Sequence, residues 1–162
     1  MTRNLKDQRS ALEFCARKGE LLSVSKEVDP IYELASVTKS FDGGPALIFS
    51  QIKGYPKWKA VTNLMSRRER VADFFGTTKQ ELPKRIVEAV SKPVPPTVID
   101  QAPCQEVVID KELDVLGYLP VIKQTKIDIG PVISGGVVMV QVPKELSRDS
   151  SSFNLSFHRI NP

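Results

Sequence analysis

Residues 93–103, with the sequence PVPPTVIDQAP, divide this chain into two parts of different character. The stretch holds four of the twelve prolines, and prolines at this density favour an extended, stiff connection. Residues 1–92 combine helical and strand patterns, whereas residues 104–162 carry strand patterns alone. The sequence therefore predicts an α+β fold with a mixed helix and strand N-terminal domain, a proline-rich linker over 93–103 and a second, strand-based part over 104–162.

The N-terminal part alternates between helical and strand periods. Asp7 is a candidate cap for a first helix, and Asp29 followed by proline is a candidate cap for a second. The turn residues at 54–56 separate two strand-like runs. The predicted elements are a helix over 7–18, a strand over 21–25, a helix from Asp29 to the glycines at 43 and 44, and strands over 46–52 and 59–62.

Two capping-box patterns predict two further helices, which begin near Ser66 and Thr78. Gly76 is the expected stop of the first of these helices. Their apolar faces are Val71, Phe74 and Phe75 in the first, and Ile86, Val87, Ala89 and Val90 in the second.

Beyond the linker, β-branched residues predict strands over 104–109, 132–142 and 153–160. Two long strands and one short one cannot bury both faces of a sheet alone. This part is therefore expected to open a larger β-domain. Its last strand carries an amide, a hydroxyl, an imidazole and a guanidinium, which is typical of a strand that lines a ligand site.

Composition narrows the class of protein. The net charge is +4 and 41% of the residues are hydrophobic, but the basic residues are scattered, so we expect no nucleic-acid binding. The longest apolar run, 129–142, is too short and interrupted to span a bilayer, and the N-terminus has no signal-peptide core. The two cysteines, Cys15 and Cys104, and the single histidine, His158, do not form a zinc pattern. These features predict a cytoplasmic protein.

An ordered series of short stretches resembles the UbiD-type decarboxylases, which use prenylated flavin mononucleotide (prenylated FMN). Before the linker, the stretches are GELLSVSKEVDP at 19–30, GGPALIF at 43–49, KGY at 53–55, TNL at 62–64 and SRRER at 66–70. After it, they are PCQEVV at 103–108, YLP at 118–120 and GPVISGGV at 130–137. Each stretch is short, and the resemblance rests on their order over most of the chain.

This resemblance implies that 104–162 begin a flavin-binding split β-barrel. It also implies a non-oxidative (de)carboxylase that acts on an aromatic or α,β-unsaturated carboxylic acid through an adduct with prenylated FMN. By the same resemblance, Asn154 binds the divalent metal, Mn²⁺ or Mg²⁺, that bridges to the cofactor phosphate, and K⁺ is a further candidate ion. Ser156 and Phe157 lie against the flavin, and Arg159 contributes to the surroundings of the substrate carboxylate.

The residue chemistry supports part of this assignment. An Asn side chain supplies a hard carbonyl oxygen for Mn²⁺ or Mg²⁺, and Arg pairs with a carboxylate through two parallel hydrogen bonds. Residues five apart on a regular strand point to opposite faces, so Asn154 and Arg159 share a site only if the strand bends or Asn154 sits in the preceding turn. Taken alone, the pattern also allows a turn role for Asn154 and a solvated strand-end role for Arg159, and His158 is expected to be a surface or packing residue rather than a base.

The family's domain continues beyond the strand at 153–160, where it supplies further metal ligands, acid/base glutamates and a dimerisation region. We therefore expect the chain to be part of such an enzyme, inactive alone and completed by another polypeptide or subunit in an oligomer. The alternative is a non-catalytic scaffold or assembly subunit of a multi-subunit carboxylase or decarboxylase.

Overall fold

A small three-stranded sheet lies at the centre of the N-terminal part in the computed structural model of the chain. The structure describes residue 5 and residues 7–95, 97 and 99–133. Its elements in chain order are α1 (Gln8–Arg17), β1 (Leu21–Val24), α2 (Glu33–Ser40), β2 (Ala46–Phe49), β3 (Ala60–Thr62), α3 (Arg68–Phe74), α4 (Leu82–Ser91), a 3₁₀ turn (Pro103–Gln105) and α5 (Val115–Tyr118).

The strand order is β1-β2-β3. β1 and β2 run parallel, with Leu21 opposite Ala46, and α2 forms the crossover between them. β2 and β3 are antiparallel, with Leu47 opposite Thr62, so the predicted pairing around the 54–56 turn is confirmed. Because β2 ends three residues sooner and β3 begins one residue later than predicted, the connection between them spans 50–59.

The core lies where α2 crosses the sheet. Leu34 of α2 packs with Val28, Leu47 and Phe49, and each of these four side chains is at most 3% exposed. All the residues of β2 but Ile48 are fully buried, as expected for the middle strand of a covered sheet. Burial of such apolar side chains contributes on the order of 1.5–3 kcal/mol each, which makes this cluster the main support of the domain.

The first helix and the strand that follows it match the prediction. The carboxylate of Asp7 accepts a hydrogen bond from the backbone N–H of Ser10 at 2.8 Å, which caps α1. At the other end of the helix Gly19 adopts φ +69°, the left-handed conformation that glycine tolerates best. Phe14 packs edge-to-face on Phe74 of α3, with ring centroids 5.9 Å apart.

The predicted cap of the second helix is wrong. α2 begins at Glu33, and the carboxylate of Asp29 instead accepts hydrogen bonds from the N–H of Ile31 at 2.8 Å and from the ammonium of Lys53 at 2.9 Å. Asp side chains often bond the backbone two residues ahead, and here this local turn replaces the helix start. Tyr32 stands between the turn and the helix with φ +69°.

The capping box predicted at Ser66 is also wrong. α3 begins at Arg68 without a side-chain cap, because the hydroxyl of Ser66 donates to the backbone oxygen of Asn63 at 2.9 Å. The box at Thr78 is half formed: its hydroxyl accepts from the N–H of Glu81 at 3.3 Å, and α4 begins one residue later.

The apolar faces predicted for these two helices are buried in part or not at all. In α3, Val71 and Phe74 are half-buried, and Phe74 packs on Phe14. Phe75 is 47% exposed, whereas Arg70 and Ala72 are buried in α3. In α4 only Leu82 is buried, and Val90 is 75% exposed. Gly76 does end α3, in a left-handed conformation at φ +63°, as predicted.

Part of the predicted β-structure beyond the linker can be compared with the described residues. The strand predicted over 104–109 is wrong, since Pro103–Gln105 form a 3₁₀ turn and no strand follows up to Ile109. The strands predicted over 132–142 and 153–160 lie outside the described residues, except for 132 and 133. None of the helices in the described part of the chain has the length and apolar character that a bilayer crossing requires.

Candidate functional site

The residues predicted to form the cofactor site all belong to the stretch 154–159. Asn154, Ser156, Phe157 and Arg159 lie outside the described residues, and so does His158. The residues that the structure describes therefore show the part of the fold that comes before this stretch, and not the predicted cofactor site itself.

A groove of about 620 Å³ lies between α2 and the segment 122–125 in the part of the chain that the structure describes. Leu34 and Ile122 contribute apolar surface, and Thr62 and Asn63 contribute polar atoms from the end of β3. A volume of this size is in the range of small-molecule sites, which often lie where two parts of a chain meet. The groove thus joins the N-terminal part to the segment beyond the linker.

Hydrogen bonds join the polar groups of this groove at the ends of α2 and β3. The hydroxyl of Thr38 donates to that of Thr62 at 3.0 Å, and the amide of Asn63 donates to the backbone oxygens of Thr38 and Phe41, both at 3.0 Å. These bonds satisfy the C-terminal carbonyls of α2. The groove therefore offers a small molecule volume and apolar surface. Its hydrogen bonds are used to hold α2 against the end of β3.

An exposed ion pair lies at the rim of the groove. The ammonium of Lys39 donates to the carboxylate of Asp42 at 2.6 Å. This hydrogen bond raises the pKa of Lys39 and lowers the pKa of Asp42, so both groups are charged at neutral pH. Within the described residues no group of three or more His, Cys, Asp or Glu side chains could hold a metal ion.

The sequence analysis missed a buried arginine that links three segments. Arg70 is 1% exposed, and its guanidinium donates to the carboxylate of Glu20 at 2.9 Å and to the backbone oxygens of Asn63 and Gly44 at 2.7 Å each. It therefore ties α3 to the start of β1 and to the loops before β2 and after β3. Its place in the basic run at 67–70 concealed it, because charge runs are normally solvated.

Cys15 lies close enough to this arginine network for the charge of Arg70 to act on its thiol. It is fully buried and has no disulfide partner. Burial raises the pKa of the Cys15 thiol, and this outweighs the opposing influence of the Arg70 charge. The thiol is thus a packing group and is poorly suited to act as a nucleophile.

Comparisons with known proteins identify relatives over the whole chain. The 3-octaprenyl-4-hydroxybenzoate carboxy-lyase N-terminal domain matches residues 12–90, and the Rift-related domain of the same enzyme family matches residues 97–162. A phenolic acid decarboxylase from Sedimentibacter hydroxybenzoicus is 32% identical over 99% of this chain and 35% of its own length. A gallate decarboxylase from Lactiplantibacillus plantarum is 33% identical over 83% of this chain and 29% of its own.

Solved structures agree with these relatives. The UbiD-class enzyme HmfF from Pelotomaculum thermopropionicum, in an evolved dimeric form in complex with prFMN, superposes with a TM-score of 0.74 at 36% identity. The match covers 78% of this chain and 30% of the HmfF chain. The vanillic acid decarboxylase of Sedimentibacter hydroxybenzoicus, in open form, superposes with a TM-score of 0.68 at 34% identity. This match covers 80% of this chain and 30% of the decarboxylase chain.

The chain thus spans about a third of the length of the curated relatives that it matches. The two matched domains follow one another in the family's order and together leave only the first eleven residues and a short connection unmatched. The mixed helix and strand architecture agrees with the N-terminal domain of the solved enzymes. The chain belongs to the UbiD family of decarboxylases and corresponds to the N-terminal portion of the relatives that it matches.

Proposed function

We propose that this chain is part of a non-oxidative decarboxylase that acts on aromatic carboxylic acids with the help of prenylated FMN. The observation that carries the proposal is the match of both consecutive family domains, the second of which includes the stretch 154–159. Two of the relatives are named for phenolic acid and gallate, so phenolic acids are the first substrates to test. α,β-Unsaturated acids are the second class.

The cofactor proposal rests on the solved neighbours and on the donor set of the sequence. One neighbour was solved with prFMN and another with FMN. When bound, such a flavin supplies the electron sink that decarboxylation needs, while the protein orients and polarises the substrate. Asn154 offers an oxygen ligand of the kind that Mn²⁺ or Mg²⁺ prefers. K⁺ is a further candidate ion, and the split β-barrel over 104–162 remains a prediction.

Arg159 has the chemistry to bind the substrate carboxylate. Its guanidinium stays charged and its fork matches the two carboxylate oxygens, which fixes the orientation of the acid. Ser156 and Phe157 would bind the flavin, through the hydroxyl and the ring respectively. The role of each of these residues comes from the family resemblance and remains to be tested.

A completing polypeptide or subunit and an oligomeric assembly belong to the same proposal. The vanillic acid decarboxylase neighbour is named as ShVdcCD and was solved with truncated ShVdcD, so that relative works with a second component. A cytoplasmic location is in keeping with a free, buried cysteine at position 15.

The proposal is tested on the protein purified anaerobically from its own cells through an N-terminal tag on this chain. The flavin absorption, the metal content and the release of CO₂ from gallate and 3,4-dihydroxybenzoate are measured. Arg159→Ala and Arg159→Lys are expected to lose turnover and retain flavin. Asn154→Ala is expected to lose metal and flavin together. Arg148→Ala and Asn161→Ala, which alter the same residue types nearby, serve as matched controls.

The outcomes separate the alternatives. Flavin-free protein without CO₂ release would reject the enzyme proposal. A decarboxylating assembly in which Arg159→Ala and Asn154→Ala keep full activity would assign the chemistry to another polypeptide and favour the scaffold alternative. If Arg159→Ala lost the flavin and Asn154→Ala kept it with normal metal content, the two residue roles would be the reverse of those proposed.

A further inference from the structure

The segment 114–123, which lies beyond the linker, folds onto the N-terminal part. We call this segment the strap, and we call the three rings that contact it, those of Tyr32, Tyr55 and Trp58, the aromatic surface. The strap begins with α5, whose first turn is closed by a hydrogen bond from the N–H of Gly117 to the carboxylate of Asp114 at 2.9 Å. It ends beside the start of α2.

Two side chains of the aromatic surface bind the helical half of the strap. The hydroxyl of Tyr55 donates to the backbone oxygen of Leu116 at 2.5 Å. Trp58 packs edge-to-face on Tyr118, with ring centroids 5.4 Å apart and an interplanar angle of 83°. Edge-to-face aromatic pairs are stabilising beyond the apolar area that they bury. Both contacts join the 50–59 connection of the N-terminal part to α5.

The other half of the strap is bound through its backbone. Residues 31 and 123 form a parallel bridge, in which the N–H of Tyr32 donates to the oxygen of Lys123 at 2.9 Å and the N–H of Lys123 donates to the oxygen of Pro30 at 3.3 Å. Val121 is 8% exposed, and Ile122 packs against the core cluster. The strap therefore completes the core of the N-terminal part.

The strap also stabilises a strained residue. Tyr32 has φ +69° and ψ −40°, and the N–H of Glu33 bonds the oxygen of Ile31 at 2.9 Å, which is the rare γ-turn with positive φ. A tyrosine in this conformation is strained, and the conformation persists only where the surroundings of the residue hold it. The strap supplies the backbone bond to Tyr32 and the Lys123 ammonium, 5.6 Å from the ring centroid.

We propose that the aromatic surface is an internal docking site whose partner is the strap of this same chain. Docking joins the two family domains at a point well beyond the linker, so the linker is a surface connection and not a hinge. The N-terminal structural unit then includes the strap, through residue 123. This inference does not depend on the chemistry of the site at 154–159.

The single tryptophan of the sequence provides a direct readout of docking. Tyr118→Ala removes the ring that packs on Trp58. We expect the fluorescence emission of Trp58 to shift to the red and its quenching by acrylamide to increase. Tyr118→Phe keeps the edge-to-face contact and should behave as the unaltered chain does. Circular dichroism monitors folding, and Tyr55→Phe supplies a milder perturbation should Tyr118→Ala fail to fold.

A second experiment tests whether docking holds without covalent continuity. A specific protease site is inserted after Thr97 in the full chain, and the cleaved protein is passed over a sizing column. We expect the two fragments to elute together, and to separate when Tyr118 is changed to alanine. Separation of the fragments of the otherwise unaltered chain, or identical Trp58 emission in the Ala and Phe variants, would overturn the proposal.

Discussion

Replacement of Arg70 by leucine is the most decisive test of how this scaffold is held together. The change removes the donors to Glu20, Gly44 and Asn63 while it keeps an apolar stem of similar length. Loss of one member of a buried ion pair costs about 3–5 kcal/mol. Here the carboxylate of Glu20 is 24% exposed and can regain water, which lowers that cost.

Arg70→Leu removes a hydrogen-bond donor from two backbone carbonyls, and the expected free-energy cost differs between them. The oxygen of Asn63 also accepts from the N–H of Ser66 at 3.3 Å and from its hydroxyl at 2.9 Å, so it stays bonded. The oxygen of Gly44 loses its bond to the guanidinium, and an unsatisfied group costs about 1–3 kcal/mol. Together these effects give a loss of about 4 kcal/mol, a large part of the ~5–15 kcal/mol stability of a typical domain.

The free energy of unfolding is measured by urea denaturation followed by circular dichroism. Arg68→Leu on the same helix is the matched control, since Arg68 is exposed and should change stability by about 0.5 kcal/mol or less. Arg70→Lys keeps a charge but loses the planar fork, and it should fall between the two. If Arg70→Leu lost less than about 1 kcal/mol, the hydrogen-bond network would contribute little and the reasoning would be refuted.

Three further outcomes follow from individual contacts. Asn63 has φ +55° and caps α2 with its amide, so Asn63→Ala should lower the melting temperature more than Asn63→Gly, which tolerates the conformation but also loses the amide; equal melting temperatures would contradict this account. The hydrogen bond from Lys53 lowers the pKa of Asp29, so its stabilising effect should be full above the unfolded-state pKa and vanish as pH falls through the lower folded-state value. The difference in melting temperature between the unaltered chain and Asp29→Asn should therefore disappear in acid, and a difference that persists there would reject the assignment. In a chain with Cys104→Ser, Cys15 should react with a thiol reagent only as fast as the protein unfolds, because its side chain is fully buried; rapid labelling of the folded chain would show that the thiol is accessible.

Local signals in the sequence predicted the elements better than their ends. The cap at Asp7 and the stop at Gly76 were correct, because each acts through hydrogen bonds or backbone conformation within one turn. The caps predicted at Asp29 and Ser66 failed for the same reason. Both side chains found a closer backbone partner in a turn, and this local competition is invisible in the residue spacing.

Residues that act through distant segments could not be predicted in this way. Arg70 bonds to groups 50, 26 and 7 positions away, and only the folded chain brings these together. The contact of Tyr55 with Leu116 spans 61 positions. For the site itself, the sequence supplied candidate residues through family resemblance, and their roles remain predictions because 154–159 lie outside the described residues.

Helix α4 shows that the periodicity of apolar residues predicts a helix but does not predict whether the apolar face of that helix is buried. Ile86, Val87 and Val90 recur at helical spacing and do belong to a helix, yet these side chains are 43%, 64% and 75% exposed. A helical period specifies which side chains share a face, while burial of that face requires a second layer to pack on it. Within the described residues the sheet receives α1 and α2 but not this face of α4. The apolar pattern therefore predicted the helix correctly and carried no information on its neighbour.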